Sequence, residues 1–379
     1  MLEYRFATPG DMPDLIDCID LVFSHVGTPH DFEEILPKCY GKGRDFSSVH
    51  AIAVGDGRVR GVLGSYPVTQ VMAGETLHAG YLGSMAVHRH ERGSGVMKKL
   101  VQMQLDRAAE TGLDMLLLGG QRQRYEYHGF YHCGCHYRYY VSAPTVRHGL
   151  RDVEPALDFE KLTEDSAHVS AALEMYNHQP VSGARTMDDF VPACRSYWSE
   201  PWIILENGKP VGYLVSSKNG DSVSELVMAD DSLLPQAVKS WWVKRGLSKL
   251  HIAAAPYCVS LNRFLASFAE GYSTGHDSMM VRLYKPDRVI RAYMKLKNSL
   301  EPLADGVLKM KLADHPTLKI QVAGGEVTVE PTDEEADLTL TMEEGVHLLF
   351  SHNRFSAPAV STPAGWFPLP MAVATPDTF

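Results

Sequence analysis

The residues best placed to do chemistry fall in one stretch, Tyr81 to Ala109. Tyr81-Leu82-Gly83-Ser84-Met85-Ala86-Val87 is an apolar run of strand length. A basic turn follows, His88-Arg89-His90-Glu91-Arg92-Gly93-Ser94-Gly95, and then Met97, Leu100, Val101, Leu105 and Ala108 recur at helical steps. A glycine turn between strand and helix leaves the first-turn N–H groups of the helix without backbone partners. Together with the helix dipole they form a site for an anion, typically a phosphate. The turn matches neither Gly-x-x-x-x-Gly-Lys-Ser/Thr nor Gly-x-Gly-x-x-Gly. A second chemical segment, Gln121 to Phe130, carries two phenols, Tyr125 and Tyr127. Beyond it His128, His132, Cys133, Cys135 and His136 crowd together, but their spacing fits no paired-ligand pattern and no metal is expected.

These residues need a scaffold, and the 379-residue chain is long enough for two or three domains with a sizeable core. Apolar residues make up 45% and charged ones 22%, ordinary values for a globular protein, and the formal charge of −10 argues against a nucleic-acid partner. Six scattered cysteines suggest reduced thiols. No apolar run is long enough to cross a membrane, and Met1-Leu2-Glu3-Tyr4-Arg5 does not open a signal peptide, so a cytoplasmic protein is expected.

In chain order the pattern predicts a strand over 2–6 and a helix over 11–26. A second helical piece follows over 32–40, and His50 to Val54 and Val59 to Tyr66 form a hairpin through Gly55-Asp56-Gly57-Arg58. Further strands are expected over 68–72 and 115–118. Trp202 to Val215, with its own Asn207-Gly208 turn, echoes the 50–63 hairpin, and the elements after it repeat the earlier order without an Arg-x-x-Gly turn. From Asp287 a helix, short alternating strands and a helix over 342–350 suggest a separate α+β unit. The expected division is therefore 1–150, 151–286 and 287–379.

The turn Arg92-Gly93-Ser94-Gly95-Val96-Met97 resembles the Arg/Gln-x-x-Gly-x-Gly/Ala pyrophosphate loop of the GCN5-related N-acetyltransferases (GNAT), departing from it at Met97, where the family prefers a small residue. An active GNAT domain, a degenerate copy and a sterol-carrier-like end resemble the enhanced-intracellular-survival (Eis) acetyltransferase family over the whole chain. The fold class implied is α/β (α+β). Tandem GNAT folds, each a mixed central sheet flanked by helices, precede a sterol-carrier-protein-like α+β domain.

The resemblance implies an acetyl-CoA-dependent N-acetyltransferase working by direct transfer. Backbone groups of Met85, Ala86 and Val87 would hold the pantetheine and the thioester oxygen. Arg92 and the N–H groups of Gly93, Ser94, Gly95, Val96 and Met97 would hold the pyrophosphate. Tyr125 fits a Tyr-x-x-x-Gly-Phe pattern and Tyr127 a Tyr-x-x-Phe pattern. The Eis-like architecture points to Tyr127 as general acid, with Tyr125 packing beside it. The family's C-terminal carboxylate base corresponds to Phe379. A free α-carboxyl titrates near 3.3–3.7, and burial among rings would raise it toward a useful base. Glu34 acting through water, His25 and His30 are alternative bases. The acceptor implied is a primary amine (an aminoglycoside, a polyamine or a lysine side chain), and the partner implied is a second copy of the chain, often as a hexamer. A non-catalytic protein that senses acyl-CoA or binds an apolar ligand remains the other reading of the same residues.

Overall fold

The computed structural model describes residues 2–25, 28–275, 279–352 and 356–379; Val26, at the end of the expected first helix, lies outside them. The strands in chain order are β1 (Glu3–Phe6), β2 (His50–Gly55), β3 (Arg58–Met72), β4 (Glu75–Val87), β5 (Met115–Gly119), β6 (Tyr131–His132) and β7 (His136–Ser142). They continue with β8 (Asp158–Lys161), β9 (Glu200–Glu206), β10 (Lys209–Ser216), β11 (Ser222–Met228), β12 (Lys249–Ala254), β13 (Gly271–Gly275) and β14 (Met279–Leu283). The helices nearest the site are α1 (Met12–Ser24), α2 (Phe32–Ile35), α3 (Pro37–Tyr40), α4 (Val96–Glu110) and α5 (Arg122–Tyr125). Where two strands and one helix were expected over 32–40 and 59–72, there is one long strand, β3, and a pair of short helices.

Two sheets repeat one plan. The first runs β1-β2-β3-β4-β5-β14-β6 and the second β8-β9-β10-β11-β12-β7-β13. In both, the central pair (β4 with β5, β11 with β12) is parallel and the remaining pairs are antiparallel. The sixth position of each sheet is filled from the other half of the chain. β14 lies antiparallel against β5, and β7 lies antiparallel against β12. Read along the sequence, β7 belongs with the first unit and β14 with the second; each sits in the opposite sheet. The repeat extends to the turns. Asp56-Gly57 and Asn207-Gly208 both take positive φ at both residues (51° and 71°, 51° and 76°), the geometry of a two-residue hairpin turn that Asp-Gly and Asn-Gly favour.

The last unit has a four-stranded sheet in the order Glu326–Pro331, Leu318–Ala323, Gly306–Leu312, Leu338–Leu340. The Pro286–Leu300 helix buries Val289, Ile290, Tyr293, Met294 and Leu296 in a core that spans this sheet, one face of the first sheet and the tail. The tail is drawn inward. Trp366, Leu369, Met371 and Ala372 are fully buried, and the Trp366 indole donates to the Ala304 carbonyl at 2.9 Å. Among the described residues no helix is long and apolar enough to cross a membrane.

Candidate active site

Strand β4 shapes the site. Val62 faces Ala86 and Gly64 faces Gly83, so three steps on β4 oppose two on β3. The extra residue is a β-bulge, and it holds Ser84 at φ 54°. Such a backbone is costly for a residue with a Cβ and persists only where the surroundings fix it. Here the Ser84 hydroxyl meets Tyr40 Oη at 2.9 Å and Tyr66 Oη at 2.8 Å, and Tyr40 also bonds Tyr66 directly. His50 Nε2 joins at 2.9 Å from Tyr40 Oη, with its Nδ1 against the Phe46 carbonyl at 2.8 Å. All four side chains of the network are buried.

Beyond the bulge the sheet opens. β4 pairs with β5 only over Ala79–Leu82 against Met115–Leu118, although β4 runs on to Val87. The edge of Gly83 to Val87 on that side has no ladder partner among the described residues. Met85, Ala86 and Val87, expected to hold the pantetheine and the thioester oxygen, lie on this edge.

The gap leads to the basic turn. Gly93 and Gly95 take φ 80° and 87°, and a Cβ at either would meet nothing within 4 Å, so the loop surface is open. The first bond of the α4 ladder runs from the Lys99 N–H to the Gly95 carbonyl at 3.1 Å. The N–H groups of Val96, Met97 and Lys98 therefore precede the ladder, as anion sites at helix starts require. Ser94 Oγ donates to the Glu91 carbonyl at 2.6 Å, closing the turn, and the exposed Arg92 guanidinium reaches back to the Val87 carbonyl at 3.4 Å. Met97, the departure from the small-residue pattern, packs against the core below α4 rather than over the turn. These groups are arranged as donors toward an anion.

The two phenols differ in exposure. Tyr127 is 88% exposed, while Tyr125 is 9% exposed. The Tyr125 ring lies so close under the end of β5 that a Cβ on Gly120 would come within 2.5 Å of it. It shares an apolar cluster with Leu82, Met85, Val87 and Met97, the residues around the gap. Burial raises its pKa, with Arg124 pulling the other way. Gly129, at φ 74°, ends the short helical turn that carries Tyr127.

Phe379 arrives from the opposite side. A Cβ on Gly83 would meet its carboxyl oxygen at 2.8 Å and carbon at 2.9 Å, so the chain end lies against the bulged strand. Its ring stacks on Tyr66 (4.6 Å between centroids, 6° between planes), and Lys38 Nζ sits 3.6 Å from the ring centroid. Lys38 is buried and donates to the carbonyls of Pro376 at 2.7 Å and Thr378 at 2.5 Å; burial depresses its pKa to about 8. Asp377 accepts from Arg185 Nε at 2.8 Å and from Tyr176 Oη at 3.0 Å. The same guanidinium holds Glu225 on β11 through two bonds of 2.9 and 2.8 Å. Burial pushes the Asp377 carboxyl up, and the Arg185 charge outweighs it, leaving the pKa below the usual range.

Of the alternative bases, Glu34 is exposed on α2, and the His30 ring packs by Phe23 and Trp198 with Nδ1 at 2.7 Å from the Thr28 carbonyl. Lys38, His50, Tyr66, Arg185 and Glu225 were not foreseen. His50, a polar residue heading an apolar strand, was the one legible signal among them.

The family described as acetyltransferase (GNAT) domain matches residues 3–136. Curated protein sequences give no significant match. Among solved structures the fold is similar to a GCN5-related N-acetyltransferase from Anabaena variabilis (TM-score 0.66, 15% identity, covering 91% of this chain and 89% of that one). It is also similar to Eis1 from Mycobacterium abscessus (TM-score 0.58, 14% identity, 91% and 88%). Residues 3–136, which hold the bulge, the gap and the glycine turn, match the GNAT acetyltransferase domain, and the chain is an acetyltransferase.

Proposed function

We propose that the chain transfers the acetyl group of acetyl-CoA directly to a primary amine, in the manner of the Eis-like family it resembles. Arg92 and the N–H groups of Gly93 to Met97 bind the pyrophosphate, and the unpaired edge of Met85, Ala86 and Val87 aligns the pantetheine and polarises the thioester carbonyl. The amine nitrogen attacks that carbonyl carbon; a C–N bond forms and the C–S bond breaks. The Phe379 carboxylate takes the proton from nitrogen, and a phenol gives its proton to the departing thiolate. Of the two phenols, Tyr125 is the better donor. It lies at the gap and stays protonated, whereas Tyr127 projects into solvent. The observation that carries this reading is the meeting of both machineries on one strand: β4 opens toward the anion turn and touches the chain end at Gly83. The C-terminal unit, read as sterol-carrier-like, serves to deliver that end, and assembly into a homo-oligomer belongs to the same reading.

The test is thiol release from acetyl-CoA with a panel of amines. Tyr125→Phe is expected to lower kcat by about 10²-fold or more, the usual scale of a proton donor, while Tyr127→Phe stays within threefold of wild type. The reverse order restores Tyr127 as the acid. Absence of turnover with every amine removes the transfer reading.

A further inference from the structure

Between the two GNAT sheets and the tail lies a cavity of about 280 Å³, walled by Val68, Val181, Leu226, Ala253 and Val373 and reached at one side by Phe379. Its walls are predominantly apolar. The charged side chains there are already engaged: Arg185 with Glu225 and Asp377, Asp189 with Arg44, and Lys38 with two tail carbonyls. Among the described residues no ion pair engages the Phe379 carboxyl group. A cavity of roughly 150 Å³ lined by aliphatic side chains accommodates benzene. This one has room for a ring with a short chain.

Resting on the transfer reading above, we infer that the acceptor is a small monoamine on an apolar body, such as an arylalkylamine. The body fills the cavity, and its nitrogen points to the Phe379 carboxyl group. One ammonium has a counter-charge there. Further ammonium groups would lose their hydration against apolar walls and carboxylates that Arg185 already holds. Phe379 lines the cavity, and its carboxyl group lies against Gly83 at the bulge.

The experiment compares 2-phenylethylamine, hexylamine, spermidine and kanamycin with the full chain. It reads kcat/KM by thiol release and amine binding by calorimetry in the presence of CoA. The two monoamines are expected to exceed spermidine and kanamycin at least tenfold in kcat/KM. Ala253→Leu, which fills the cavity, is expected to raise the KM for 2-phenylethylamine at least tenfold with the acetyl-CoA KM unchanged; Val181→Phe repeats the test from another lining residue. Equal or better turnover of the polycations overturns the inference and leaves acetyl transfer standing. Binding of 2-phenylethylamine that the filling variants weaken, with no thiol release from any amine, supports the cavity ligand and removes the transfer reading. No binding and no turnover of the monoamines overturns it.

Discussion

His50 exposes no surface, and its ring lies between the Phe46 carbonyl and the hydroxyls of Tyr40 and Tyr66. Burial disfavours the imidazolium and lowers the pKa to about 4, although the backbone bonds of Phe46 and Ser47 oppose the shift. An unfolded histidine titrates near 6.5, so between the two values the unfolded chain binds the extra proton. The stability that follows from a neutral His50 is therefore complete above about pH 6.5 and falls by about 3 kcal/mol as the pH drops to 4. Denaturant melts across that range are expected to show wild type losing about that much more than His50→Gln, which cannot take the proton. Equal pH slopes for the two proteins would mean that the network tolerates a charged imidazole. Tyr125 shows the other side of residue-scale reading. Both phenols satisfied a sequence pattern, and the difference between them is burial, which local spacing does not encode.

The bulge in β4 sets the scale of the element. A glycine at 83 lets the chain end approach the strand, since any Cβ there would press on the Phe379 carboxyl group and on the Tyr66 ring at 3.2 Å. Gly83→Ala is expected to leave the acetyl-CoA KM within about twofold while lowering kcat by about 10- to 100-fold, because the proposed anion turn lies farther along the strand while the proposed base is displaced. A matching rise in the acetyl-CoA KM would show that the substitution closes the gap instead. Elements were the most legible level. The Asp56-Gly57 and Asn207-Gly208 turns, the apolar run into the basic turn and the helix over 342–350 all carry local chemistry that fixes their form. The bulge was not legible. Its cause is the buried Tyr40–Tyr66–Ser84 contact, made between residues far apart in the chain. The exchange of β7 and β14 escaped for the same reason, since strand patterns say which face is apolar but not which sheet accepts the strand.

At the scale of the molecule, the two sheets, the last unit and the tail close on Phe379 together. Arg185 connects them: it joins Glu225 of the second sheet to Asp377 of the tail, two residues before the carboxyl group that meets the first sheet. A buried guanidinium between two carboxylates is weak evidence for net stability, because desolvation offsets most of the attraction. Its geometric consequence is stronger: two bonds from one rigid fork fix the tail against both rotation and retreat. Asp377→Ala leaves Arg185 paired with Glu225, so the fold is expected to survive with a loss of about 1–3 kcal/mol. Catalysis should suffer more than stability. The kcat of Asp377→Ala is expected to fall toward that of a chain lacking Phe379, with the acetyl-CoA KM unchanged, and Asp377→Glu is expected to recover part of the loss. Limited proteolysis of the last residues supplies the second reading, since a released tail is cut and a held one is not. If Asp377→Ala frees the tail to proteolysis yet keeps the wild-type kcat, the base must lie elsewhere, and Glu34 on the exposed face of α2 becomes the group to test.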